Sequence, residues 1–266
     1  SICACFWIDR NIFAANYFIM DLSKIKMVVT DMDGTLLNSK HEVSPLFFQL
    51  FEKLKQKNIH FVAASGRQYH SIIEKLDFIK NDILVIAENG AIAKERDQVI
   101  LKTPLPRTTI LKLLKIVTKI DSIYPILCGN KKAYINANSG DFVEKFREYY
   151  TAYGLLENME DFDDEIFKIA IYHYVSSEAY IYPHVKHLEN ELQVKVSGQN
   201  WVDLSHENAN KGFALKKLQE IYNVSPSETM VFGDYNNDLE MLALADYSFA
   251  MDNAHPNVKA VSNYWL

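Results

Sequence analysis

The run Lys26-Met27-Val28-Val29-Thr30-Asp31-Met32-Asp33-Gly34-Thr35-Leu36-Leu37 joins a short β-rich stretch to an acidic, glycine-containing turn. That pattern reads as a buried strand feeding a loop. Downstream, Ser44 to Lys57 carries apolar residues at Leu46, Phe47, Leu50, Phe51 and Leu54, which is helical spacing. Ser44 stands as N-cap and Pro45 at the first helical position. Ile59 to Ala64 is a second apolar strand ending at Ser65-Gly66-Arg67, Tyr69 to Leu76 a second helix, and Ile83 to Ala87 a third strand ending at Glu88-Asn89-Gly90. Strands alternating with helices at this spacing predict a parallel α/β sheet.

After Gly90 the pattern changes. The sequence predicts a hairpin over Ile92–Lys102, a helix over Thr108–Ile120, two strands within Ser122–Asn136 and a helix over Asp141–Tyr153. A strand over Ile166–Val175, a helix over Ser177–Leu192 that contains Pro183, and two strands within Gln193–Ser205 follow. Hairpins mixed with helices imply an α+β unit with an antiparallel sheet. The earlier rhythm then returns, with a helix over Lys211–Tyr222, a strand over Thr229–Phe232, a helix over Asn237–Leu244, a strand over Tyr247–Met251 and a short helix from Val258. The expected organisation is an α/β core, a doubly wound Rossmann-like parallel sheet formed by residues 21–90 and 206–266, interrupted by an α+β insert at 91–205. Residues 1–20 stand apart. They match no targeting pattern, because no basic region precedes the apolar residues and Asp9-Arg10 interrupts them. Met20 reads as the natural start, with the leading segment of unassigned role.

Composition narrows the class. The chain has 266 residues, 48% of them hydrophobic, with a net charge of −6. A length of this order buries enough surface to fold without staples. The acidic balance lacks the basic stripe of a nucleic-acid binder. No uncharged apolar run reaches the ~18–20 residues of a membrane helix. Cys3, Cys5 and Cys128 are odd in number and irregular in spacing, which argues for reduced thiols and a cytoplasmic protein.

Four polar segments fall at the carboxyl ends of predicted strands or at a helix start: Asp31–Thr35, Ser65–Arg67, Asn210–Gly212 and Gly233–Asp238. In an open parallel sheet such loops converge on one pocket. Asp31, Asp33, Asp234 and Asp238 together repel by several kcal/mol unless a cation joins them. An all-oxygen donor set without His or Cys points to Mg²⁺, which accepts phosphate oxygens. Ser65, the backbone at Gly66 and Lys211 supply further donors for a phosphate. A carboxylate so placed can attack phosphorus, and a second carboxyl two residues on can protonate the leaving oxygen and then deprotonate water. Asp31 and Asp33 fit that pair. His184 and His187, three apart on a predicted helix, read as a solvated face rather than a metal site.

The ordered set Asp31-Met32-Asp33-Gly34-Thr35-Leu36-Leu37, Ser65-Gly66-Arg67, Asn89-Gly90-Ala91, Lys211-Gly212 and Gly233-Asp234-Tyr235-Asn236-Asn237-Asp238 resembles the motifs of the haloacid dehalogenase superfamily. The nearer likeness is to its Cof-type sugar-phosphatase branch, whose large cap lies between the second and third motifs. The resemblance implies Asp31 as nucleophile and Mg²⁺ ligand. It implies Asp33 as general acid/base, contributing its backbone carbonyl to the metal, and Asp234 as the ligand that completes the site. Met32, Ser65, Gly66, Lys211 and Asn237 would hold the phosphate, with Asp238 supporting the metal site from behind. Thr35, Arg67 and Asn89 remain supporting or substrate-contact candidates. The expected activity is a Mg²⁺-dependent phosphatase acting on a small phosphorylated metabolite, with the inserted cap selecting it. A phosphotransferase or phosphomutase using the same aspartyl-phosphate, and a non-catalytic phosphometabolite sensor, are the rival readings. Asp252, where the family often has Gly, is a departure that touches no assigned role.

Overall fold

The computed structural model describes residues 22–266 apart from 148 and 151. Residues 1–21, with Cys3, Cys5 and the expected start at Met20, lie outside the described residues. The chain divides into two compact units: residues up to 102 together with 210–266, and residues 103–209.

The first unit begins with β1 (Met27–Asp31), α1 (Pro45–Gln56), β2 (His60–Ala64), α2 (Tyr69–Lys75), β3 (Leu84–Ala87), β4 (Ile92–Glu95) and β5 (Gln98–Lys102). The second contains α3 (Arg107–Val117), β6 (Ile123–Gly129), β7 (Ala133–Asn136), α4 (Phe142–Arg147), β8 (Tyr153–Leu156), β9 (Ile166–His173), α5 (Ser177–Tyr180), α6 (Tyr182–Val185), β10 (Leu192–Gly198) and β11 (Trp201–His206). The first unit resumes with α7 (Lys211–Tyr222), β12 (Thr229–Gly233), α8 (Leu239–Leu242), β13 (Tyr247–Ala250), α9 (Pro256–Val261) and β14 (Tyr264–Trp265).

The first unit is an α/β sheet in the order β14-β13-β12-β1-β2-β3-β4-β5, parallel from β14 to β3 and antiparallel in the β3–β4–β5 meander. Every residue of β1 is buried, as in a strand covered on both faces. α1 starts where its sequence dictates: the Ser44 side chain accepts a hydrogen bond from the Leu46 amide, and Pro45 opens the helix. Its apolar stripe Phe47, Leu50, Phe51 and Leu54 is buried, and the Phe47 and Phe51 rings pack on Phe61 of β2. Burial of each such ring contributes roughly 1.5–3 kcal/mol. The register then decides where the chemistry lies. β1 runs between β12 and β2, with Asp31 opposite Ala64 and Thr30 opposite Phe232. The loops after these three strands therefore leave the sheet side by side at its carboxyl edge.

The second unit is a six-stranded sheet in the order β10-β11-β9-β6-β7-β8, antiparallel except for β7–β8. One buried cluster includes Leu113, Val117, Leu127, Ile169, Val185 and Leu204. Another is rich in aromatic rings, Phe142, Phe146, Tyr150 and Tyr172 among them. Cys128 is buried in that second cluster, its Sγ 3.5 Å from the Tyr150 hydroxyl.

Four local differences from the sequence reading have physical causes. The hairpin over 92–102, grouped by sequence with the insert, hydrogen-bonds to β3 and extends the first sheet. The helix expected over Asp141–Tyr153 stops at Arg147, and Tyr153–Leu156 instead becomes β8. Phe142, Phe146, Tyr149, Tyr150 and Tyr153 mimic a helical stripe, but β7 offers Tyr153 onward a parallel partner. The helix expected over Ser177–Leu192 is broken: α5 and α6 are four residues each, and a 3₁₀ turn covers Lys186–Asn190. Pro183 has no N–H to continue α5, so it restarts the chain as an early position of α6. Finally, β14 pairs with β13 after α9, a strand of two residues too short to carry a pattern. Among the described residues, no helix is long and apolar enough to cross a membrane.

Candidate active site

Asp31 is the last residue of β1, and the loop after it turns tightly. The Leu36 amide donates to the Asp31 carbonyl (3.2 Å) and the Leu37 amide to the Met32 carbonyl (2.8 Å). Gly34 has φ +82°, and a Cβ there would collide with the Asp234 carboxyl group. Glycine thus lets the first loop lie against the loop after β12. Gly90, with φ +98°, performs the same service for the turn after β3, whose backbone presses on the Asn210 carbonyl at the start of α7. The Asn210 side chain caps α7 by accepting from the Phe213 amide (2.7 Å), so the first helical residue, Lys211, is held at that junction.

The side chains meet in a buried charged cluster. Lys211 Nζ donates to Asp31 Oδ1 (2.5 Å) and to Asp238 Oδ1 (2.7 Å). Lys211 and Asp238 have no exposed surface. Carboxylate oxygens of Asp31, Asp234 and Asp238 all lie within 4.8 Å of one another. Asp238 is fully engaged, because its Oδ2 accepts from the Asp234 and Tyr235 amides (3.0 and 3.2 Å). Asp234 Oδ1 accepts from the Thr35 hydroxyl (3.0 Å).

These contacts account for the proton affinities. Burial pushes Asp31 well above the ordinary carboxylate range. Lys211 pulls it back, while Asp238 and Asp234 push it further up. Asp234 is also raised, mainly by burial, with the Thr35 hydrogen bond opposing. For Lys211 burial acts downward, but Asp238 and Asp31 outweigh it and hold the ammonium above its usual range.

Asp33 lies outside this cluster. Its carboxylate receives a two-pronged contact from Arg67, Nε to Oδ2 and Nη2 to Oδ1, both 2.7 Å. Burial acts to raise Asp33, yet the Arg67 hydrogen bonds and charge, with His41, hold it below the usual carboxylate range.

The remaining candidates form a polar group beside the charged one. Ser65 is buried, and its hydroxyl oxygen accepts from the Arg67 amide (3.1 Å). A Cβ at Gly66 would meet the Asn89 carboxamide at 3.0–3.3 Å, and Asn237 Nδ2 donates to Asn89 Oδ1 (3.0 Å). Ser65, Gly66, Asn89 and Asn237 are thus gathered, with Asn237 linked through the chain to Asp238. The Met32 side chain is buried, so its peptide group is the part of it that the loop can present.

A model of the haloacid dehalogenase-like hydrolases matches residues 28–266. The chain belongs to this family. It is 30% identical over 247 residues to 5-amino-6-(5-phospho-D-ribitylamino)uracil phosphatase YbjI of Escherichia coli, an alignment covering 90% of each chain. The structure of SMU.1108c from Streptococcus mutans superposes with a TM-score of 0.81 at 30% identity, over 91% of this chain and 92% of that one. BT1666 from Bacteroides thetaiotaomicron, described as a phosphatase of the same superfamily, gives a TM-score of 0.78 at 26% identity, over 94% and 93%. This member of the haloacid dehalogenase-like hydrolases is an enzyme of the phosphatase type.

Two residues at its site escape a sequence reading. Asn253, in the loop after β13, donates to the Gly34 carbonyl and to Asp234 Oδ2, both at 3.2 Å. Its place at a strand's carboxyl end is the signal that marks it. His41, whose Nδ1 lies 3.4 Å from Asp33 Oδ1, sits in an irregular loop and has no such signal.

Proposed function

We propose that the protein is a Mg²⁺-dependent phosphatase that hydrolyses small phosphorylated metabolites through an aspartyl-phosphate on Asp31. The observation that carries this reading is the cluster of buried Asp31 and Asp238, both bonded to Lys211, with half-buried Asp234, while Asp33 is held two residues away on a separate partner. An all-carboxylate donor set, without His or Cys, suits a hard divalent cation. Asp31 and Asp234 would hold it with the Asp33 backbone carbonyl, and Asp238 would brace them. When bound, the cation neutralises the carboxylates and the incoming phosphate dianion.

The chain's own groups supply the rest. A carboxylate oxygen of Asp31 attacks phosphorus, the bond from phosphorus to the ester oxygen breaks, and the protonated form of Asp33, a minor one because Arg67 favours the carboxylate, gives that oxygen a proton. Asp33 then takes a proton from water, whose oxygen attacks the same phosphorus and releases phosphate and the Asp31 carboxylate. Lys211, Ser65, Asn237 and the amides near Met32 and Gly66 donate to the phosphoryl oxygens. The inserted unit, residues 103–209, is assigned the choice of substrate. A polyol or sugar phosphate is the favoured class, because the name of the Escherichia coli relative's substrate places the phosphate on a ribityl chain.

Chelation tests the metal. EDTA is expected to abolish p-nitrophenyl phosphate hydrolysis and added Mg²⁺ to restore it; activity indifferent to chelation would overturn the metal assignment. Asp33→Asn is expected to lose about 10²–10⁴-fold on an alkyl phosphate, the usual worth of a positioned acid/base group. Steady-state assay of released phosphate measures it, and a smaller loss would remove Asp33 from the proton transfer.

A further inference from the structure

Asp31 and Asp33 are two residues apart on one tight loop, yet their carboxylates are sorted into different surroundings. Asp31 joins Asp234, Asp238 and Lys211 in the buried cluster. Asp33 is gripped by Arg67 through both carboxylate oxygens at 2.7 Å, with His41 Nδ1 3.4 Å from Oδ1. A two-pronged guanidinium contact fixes the plane of a carboxylate as well as its distance, which a lysine ammonium does not do. Arg67 is itself anchored. Its amide donates to the Ser65 hydroxyl oxygen (3.1 Å), and its carbonyl accepts from the Glu88 amide (3.0 Å). The Arg67 backbone is therefore tied to the ends of β2 and β3, and its guanidinium reaches from there to a side chain on the loop after β1.

We infer that Arg67 is a positioning residue that keeps the Asp33 carboxyl out of the Asp31–Asp234–Asp238 cluster and aims it at the leaving oxygen. The inference rests on the reading in which Asp33 carries the proton. Asp33 is partly exposed, with 42% of its side-chain surface open, so packing alone does not fix its rotamer. Without the guanidinium, the carboxylate is free to turn toward Lys211 and the cation site, where it repels its neighbours and cannot reach the ester oxygen. A misplacement of about 1 Å at a reacting group is enough for roughly 10²-fold in rate.

The test is a kinetic cycle on two substrates. p-Nitrophenolate leaves without a proton, whereas an alkoxide needs one, so only the alkyl phosphate reads the acid function of Asp33. Arg67→Met is expected to lower kcat/KM on an alkyl phosphate by about 10²-fold and on p-nitrophenyl phosphate by far less. Arg67→Lys, which keeps the charge and loses the fork, is expected to recover only part of that loss. In an Asp33→Asn background, Arg67→Met is expected to change the rate by less than about twofold, because groups acting as a unit are not additive. Equal losses on both substrates, full rescue by lysine, a rise in KM alone, or multiplicative effects in the cycle would each overturn the inference and leave Asp33 in its role. If Asp33→Asn by itself leaves alkyl phosphate hydrolysis unchanged, the acid/base reading falls and the inference with it.

Discussion

Asp31→Asn is expected to reduce p-nitrophenyl phosphate hydrolysis by roughly 10⁴–10⁶-fold, the scale on which single nucleophiles matter, without loss of folding. The asparagine side chain has nearly the same shape, and its carbonyl oxygen can still accept from Lys211, which sits 2.5 Å from Asp31 Oδ1. It cannot attack phosphorus to leave a stable acyl phosphate. The substitution also removes one of three carboxylates whose oxygens crowd within 4.8 Å. In metal-free buffer the melting temperature is therefore expected to stay level or rise. Burial and the neighbouring Asp238 and Asp234 already push Asp31 up, so its charge is a burden on the resting protein that function retains. Acid quenching during turnover, followed by mass spectrometry, should find a phosphoryl group on the peptide containing Asp31 in the wild type and none in the variant. A variant with normal turnover would remove Asp31 from the chemistry.

The sequence was most legible where one residue type is demanded by one local geometry. Ser44-Pro45 marks the start of α1 because a capping hydroxyl and a proline without an N–H both suit that place. Asp31, Asp234 and Lys211 could be gathered from sequence because each follows a strand or opens a helix of the parallel sheet, and such a sheet brings its carboxyl edges together. Legibility failed where two periods fit the same residues. Phe142 to Tyr153 carries aromatics at helical spacing, but β7 was available as a partner, and the tertiary contact took Tyr153–Leu156 as β8. It failed too where pairing depends on distant chain: nothing local in Ile92–Lys102 says whether its hairpin joins β3 or the insert. The separation of Asp33 from Asp31 was likewise invisible. Alternation along a strand places both on one side, and it takes the Arg67 contact to send the second carboxylate elsewhere.

Lys211→Met is expected to be the most destabilising single change at this site. Lys211 is completely buried and bonded to two carboxylates, so its removal leaves Asp31 and Asp238 with uncompensated charge in a dry environment. Breaking a buried pair in this way costs about 3–5 kcal/mol, which for a chain of this size lowers the melting temperature by roughly 10 °C or more. The two carboxylates hold the folded-state pKa of Lys211 above its unfolded value of about 10.4. The wild-type contribution is therefore fully present at neutral pH and is lost only as alkaline solution carries the pH through the folded-state pKa. Two further measurements separate charge from packing. Adding Asp238→Asn to Lys211→Met removes one stranded charge and is expected to recover more than half of the lost stability, whereas a packing defect would be unmoved. Mg²⁺ is expected to raise the melting temperature of Lys211→Met more than that of the wild type, because binding to the folded state alone stabilises it and the variant's carboxylates have lost their own cation. A Lys211→Met protein as stable as the wild type in metal-free buffer would mean that Asp31, at the end of β1, is already neutral by protonation, and the charge balance at this site would have to be redrawn.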